Sequence, residues 1–223
     1  MIRMEIALIL VLAFVAYIYF SAGRRHTLLH RTFSVLLVTA LVHLVFDALT
    51  VYTVARLDSV PRPVNDVLHR LFIGSMVLVV YLFYQYIAVL IEEETGKPRR
   101  LDLAAKVYLA AAEIGAAVLP VHYAVTPRGN YSDGIHANVC YASVAFYLLL
   151  CAGLLLWQWR NIDPKKKFAI GAALGLLFGV MLNGCGLWED HALGIAIGPL
   201  WGMAIAAMDG RSRPKEKKQN KRK

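Results

Sequence analysis

The sequence predicts an all-α membrane protein, a polytopic bundle of seven transmembrane helices with its N-terminus outside the cytoplasm and its C-terminus inside. Three observations predict it. The hydrophobic share of 58% and the mean hydropathy of +0.53 exceed those of an ordinary soluble domain. The apolar residues gather into seven blocks, each near the roughly 20 residues a helix needs to cross the hydrocarbon core. The basic residues collect on one side of the threading those blocks define.

The blocks run over residues 6–22, 32–55, 68–91, 104–125, 138–159, 167–188 and 191–208. None alternates polar with apolar residues, so a closed barrel is excluded and helices remain as the way to satisfy the backbone in lipid. The first block competes with a signal peptide, because Arg3 precedes it and Ser21, Ala22 and Gly23 resemble a small-residue cleavage site. Its length, and the stronger basic cluster after it, favour a retained helix. The second to seventh blocks follow with short connections, leaving no room for a soluble domain between them. The turn around 92–102 joins Glu92, Glu93 and Glu94 to Gly96 and Pro98, a helix end followed by a break. Pro61 and Pro63 mark the next-to-first connection, and Pro127, Gly129 and Gly134 the loop over 126–137, both expected as ordered turns or short loops.

Alternate threading places 19 of the 24 lysines and arginines on one face, leaving Arg3, Arg56, Arg62, Arg70 and Arg128 on the other. Basic residues remain cytoplasmic, so the first, third and fifth turns lie inside with the tail. Residues 1–210 form the transmembrane domain, and 211–223 a basic, disordered tail with eight basic residues and one acid, Glu216. Such a tail rests on anionic lipid at about 1 kcal/mol per charge. It lacks the interleaved aromatics of a nucleic-acid binder, so no nucleic acid is expected.

Two glycine ladders occupy the last two blocks. Gly171, Gly175 and Gly179 share one helical face, as do Gly194, Gly198 and Gly202. Spacing of four lets another backbone approach closely, within the bundle or across a homodimer. Cys140, Cys151 and Cys185 lack metal spacing, and read as small buried thiols, with a Cys140–Cys185 disulfide as the alternative.

Polar groups within membrane helices are costly, and mark where function resides. His43 and Asp47 stand four apart, hence on one face of the second helix. Asn65, Asp66 and His69 open the third helix, and His122 and Tyr123 close the fourth. Asn183 closes the sixth, and Glu189, Asp190 and His191 form the last outer turn. His43, Asp47, Asn65, His69, His122 and Asn183 are therefore the candidate ligand-binding residues of an outward-facing pocket. Competing readings are interfacial polar residues without further role, and a zinc-type metal site. The histidines come one per helix with no H-E-x-x-H pair, so no metal and no cofactor are expected. His26 and His30 are spaced i,i+4 but stand among Arg24, Arg25 and Arg31, which disfavours a cation. Nucleophile elbows, Walker loops and kinase motifs are absent, and no lysine in the last block can carry a retinal Schiff base.

The stretch HLVFDALTVY from His43 to Tyr52, then Pro63, Asn65 and Asp66 leading into His69, resembles the seven-helix N-terminal sensor region of bacterial histidine kinases and diguanylate cyclases. The loop with Gly129, Tyr131, Ser132 and Gly134 is similar, as are the aromatic fifth helix and Arg160 with Lys165 to Lys167. The resemblance implies detection of a signal near the outer face and transmission to a cytoplasmic enzyme. Only thirteen residues follow Gly210, so it implies here a non-enzymatic bacterial sensor or accessory signalling protein of the cell inner membrane. Such a protein acts through a cytoplasmic or membrane partner. The alternatives are a metal-dependent membrane lipid hydrolase, and a small transporter with Glu113 as its proton site.

Overall fold

The structure, a computed structural model, describes residues 3–21, 27–99, 101–126 and 129–158. The described chain is mostly helical, in the order α1 (Arg3–Ser21), α2 (Leu28–Val54), α3 (Arg62–Thr95), α4 (Asp102–Val118), β1 (His122–Thr126), β2 (Gly129–Asp133) and α5 (Ile135–Gln158). Three of these helices, α2, α3 and α5, are long and apolar enough to cross a membrane, which marks a membrane protein. Seven spans are not what the described residues support. α1 contributes a shorter apolar helix from Glu5 to Ser21, and the expected sixth and seventh helices lie outside the described residues. Asn183, Cys185 and all six ladder glycines lie outside them as well.

Each helix begins and ends where its local chemistry dictates. Thr27 caps α2 in extended conformation, its hydroxyl accepting the His30 N–H at 3.2 Å. α3 starts behind Pro61 with Pro63 in its first turn, where a missing N–H costs nothing. It ends at Gly96, whose φ of +67° and N–H bond to the Glu92 carbonyl at 2.8 Å close the helix in the left-handed region. At 1.5 Å per residue, 34 residues make α3 about 51 Å long, well beyond a hydrocarbon core of about 30 Å.

The expected fourth span over 104–125 requires correction. α4 stops at Val118, because Leu119 precedes Pro120 and is driven to extended backbone, φ −64° and ψ 146°. The β-branched and aromatic residues after the proline then pair as an antiparallel hairpin, with His122 opposite Asp133 and Thr126 opposite Gly129. The region expected as the end of a helix and a loop is thus a two-stranded ribbon, and His122 and Tyr123 lie on β1.

The chain divides into two compact units, the first ending at Cys151; of the second, residues 152–158 at the end of α5 are described. Within the first unit α2 packs chiefly on α3, α3 also on α4, and α1 on α2. One core cluster joins Ile73 and Val77 of α3, Ala112 and Ala116 of α4, and Cys140 of α5. Small residues on α4 bring α3 near; at Gly74 an added Cβ would stand 2.9 Å from a Glu113 carboxyl oxygen. Toward the Gly96 end, Tyr147 is enclosed by Tyr81, Tyr84, Tyr108 and Phe146, and donates to the Ala105 carbonyl at 2.8 Å. Large apolar side chains such as Phe14, Val107 and Ile114 remain exposed, as faces turned to lipid require.

Candidate polar site at the hairpin end

The first turns of α3, the end of α4, the start of α5 and the hairpin converge at one end of the bundle. The sequence around Pro61 places Asn65 and His69 four apart, so both project from one face of α3. That face is buried: Asn65 is 1% exposed and His69 2%. His136, one residue into α5, is 1% exposed and brings its ring centroid to 5.5 Å from that of His69.

These three side chains share an unusual property. Neither polar atom of the Asn65 amide, neither ring nitrogen of His69, and not Nδ1 of His136 has a hydrogen-bond partner. Buried polar atoms are almost always paired, because each unmet one costs about 1–3 kcal/mol. Five such atoms lie on these three side chains, which makes this end of the bundle the candidate site.

The surrounding residues are, in contrast, well paired. His136 Nε2 lies 2.8 Å from the Ala116 carbonyl oxygen, which can only accept, so Nε2 carries the hydrogen and Nδ1 of the neutral ring presents a bare lone pair. Arg70 donates to the carbonyls of Ala116 and Ala117, so a guanidinium and an imidazole together cap the last turn of α4. Tyr123 donates from β1 to Asp66 Oδ1 at 3.1 Å, and its ring stands edge-on to His69 at 6.0 Å. Burial, and then the bond to the Asp66 carboxylate, push the Tyr123 phenol well above its ordinary range. Asn130 of β2 donates to the Val54 carbonyl at 3.0 Å, fixing the hairpin to the end of α2.

The expected site residues divide. Asn65 and His69 are both buried residues of α3, four apart and so on one face. His43 is buried but satisfied, with Nδ1 2.9 Å from Ser75 Oγ, and Phe72 stands between it and His69 at centroid distances of 5.3 and 5.7 Å. Asp47 is half-buried, and its charged neighbour is Glu5 of α1. His122 is exposed on β1 and packs over Gly134, so it does not join the buried group. His136 was not anticipated. It stands alone at the start of an apolar run, and its significance rests on partners from α3 and α4 that no spacing on its own helix reveals.

The opposite end carries a second polar group. Asp102 accepts from Gln85 at 2.5 Å and pairs with Lys106 at 2.7 Å, while Arg99 donates to Gln85 at 3.2 Å and pairs with Glu92 at 2.9 Å. This network ties the end of α3 to the start of α4. Among the described residues no three His, Cys, Asp or Glu side chains converge as a metal-binding set. No family model, curated protein or solved structure matches the chain.

Proposed function

We propose that this protein is a non-enzymatic bacterial membrane sensor, multi-pass in the cell inner membrane, whose hairpin end faces outward and binds a small polar ligand. The observation that carries the reading is the group of five unpartnered polar atoms on Asn65, His69 and His136. A ligand that pairs them recovers free energy available only when the hairpin, α3, α4 and α5 are closed together, so binding biases the packing of those elements.

α3 is the natural carrier of that bias. It holds Asn65 and His69 at one end, and Gln85 and Glu92 of the opposite polar network at the other. A shift of α3 against α4 therefore reaches the turn around Asp102, on the side where the basic residues collect, and from there a cytoplasmic or membrane partner. The resemblance to the seven-helix sensor regions supports the same direction of signalling.

Hydrogen exchange on the full chain in lipid nanodiscs tests this. A panel of small polar solutes and ions is added to wild type and to Asn65→Ala and His69→Ala. A responsive solute changes exchange at the hairpin and also over residues 92–102 in wild type, and in neither variant. If nothing in the panel alters exchange over 92–102, or if the variants respond like wild type, the sensor reading fails.

A further inference from the structure

We propose that the ligand of this site is a divalent transition-metal ion of the zinc or copper class, held by His69 and His136 with the Asn65 amide oxygen beside them. The inference rests on the sensor reading for its purpose, but its chemistry stands on the residues themselves. A transition metal needs neutral imidazole nitrogens with exposed lone pairs. His136 offers one already set: its Nε2–H is fixed on the Ala116 carbonyl at 2.8 Å, leaving Nδ1 as the free acceptor. A backbone carbonyl holding the far nitrogen is the arrangement that orients metal-ligating histidines and raises their basicity.

His69 is the second donor, with both nitrogens unpartnered and its ring beside that of His136. Two imidazoles on one tetrahedral ion at about 2.0–2.1 Å place their ring centroids about 5.2 Å apart. The observed separation is 5.5 Å. Asn65, one turn before His69 on the same face, adds a carbonyl oxygen that likewise lacks a donor.

The local charges are mixed. The Asp66 carboxylate acts on both imidazoles and favours a cation, while Arg70 acts on His136 and opposes it. Arg70 is, however, turned onto the carbonyls of Ala116 and Ala117. Structural zinc sites are closed by four protein donors, whereas two nitrogens and one amide oxygen leave a coordination position open to water. Such a site exchanges its ion, which suits detection rather than storage.

The test uses tag-free full chain in nanodiscs, stripped with chelator and titrated with Zn²⁺, Cu²⁺ or the spectroscopic probe Co²⁺. Wild type takes up about one ion per chain, develops visible Co²⁺ bands, and gains thermal stability. His69→Leu and Asn65→Ala each weaken uptake at least about tenfold, and His122→Ala, on the exposed strand, leaves it unchanged. His69→Leu also raises the melting temperature of metal-free protein, because it removes two unmet buried nitrogens; this separates a lost ligand from a damaged fold. No uptake by wild type, uptake equal in His69→Leu, or stabilisation by protons alone without bound metal would overturn the proposal. A non-metal solute that alters exchange over 92–102 would then leave the sensor reading standing.

Discussion

Single side chains in this protein act chiefly by meeting, or leaving unmet, backbone groups in a dry interior. Tyr147 is 1% exposed and spends its hydroxyl on the Ala105 carbonyl at 2.8 Å, while its ring fills the space between α3 and α4. Tyr147→Phe keeps the ring and removes a second donor from a carbonyl that still accepts within α4, so it lowers unfolding free energy by about 1 kcal/mol, measurable as a reduced melting temperature in nanodiscs with unchanged helicity. Gly96 presents a different residue-level constraint. Its φ of +67° lies in a region that costs an L-residue about 1–2 kcal/mol. No heavy atom lies within 4 Å of an added Cβ, so the strain acts without a clash. Gly96→Ala therefore destabilises by about that amount, whereas Gly96→Asn, which tolerates the left-handed region, loses less. Equal loss in both variants would show that the backbone conformation is not the cause. Gly96 was legible in the sequence because glycine, lysine and proline in succession end a helix by local chemistry alone.

Elements end less legibly where the signal is one residue inside an apolar run. Pro120 is such a case: a block of even hydrophobicity continues past it to Val125, yet the chain leaves α4 at Leu119 and returns as a hairpin. Hydropathy measures transfer to lipid and is blind to the missing N–H that stops the helix. The same blindness hid His136, whose meaning depends on the α4 carbonyl that the early stop exposes. Asn65 and His69, by contrast, were visible because polar residues that open an apolar block stand out along the sequence. The shortened α4 needs its last carbonyls met, and Arg70 with His136 meets them. Arg70→Met retains the aliphatic stem and removes the donors, so it costs about 1–3 kcal/mol and raises hydrogen exchange over 115–126 before it affects α2. At the other end, Asp102→Asn removes the Lys106 pair yet keeps an acceptor for Gln85, while Asp102→Ala leaves the Nε2 donor of buried Gln85 unmet. Thermal denaturation should rank them wild type, Asn, Ala; the reverse order of the two variants would show that the acceptor for Gln85 is not what makes Asp102 stabilising.

At the scale of the whole molecule the membrane sets the constraints. α2, α3 and α5 have the length and hydropathy to cross it, and the two polar groups lie toward opposite ends of α3, about 24 to 40 Å apart by the helix rise. The threading that sets 19 of the 24 lysines and arginines on the side of Lys97, Arg99 and Lys106, against five that include Arg56, Arg62 and Arg70, predicts that the Asp102 end is cytoplasmic and the hairpin external. Labelling with a membrane-impermeant maleimide in intact cells decides the matter, since Cys140 and Cys151 are buried, and the wild-type chain supplies the background. Tyr131→Cys, exposed on β2, should label from outside without permeabilisation; Glu93→Cys, exposed near the end of α3, should label only after it. The reverse pattern would invert the bundle, place Asn65, His69 and His136 at the cytoplasmic face, and turn any ion they bind into an internal rather than an external signal. Labelling of both positions from outside would be incompatible with α3 as a span, because the two lie toward opposite ends of a helix that must then fail to cross.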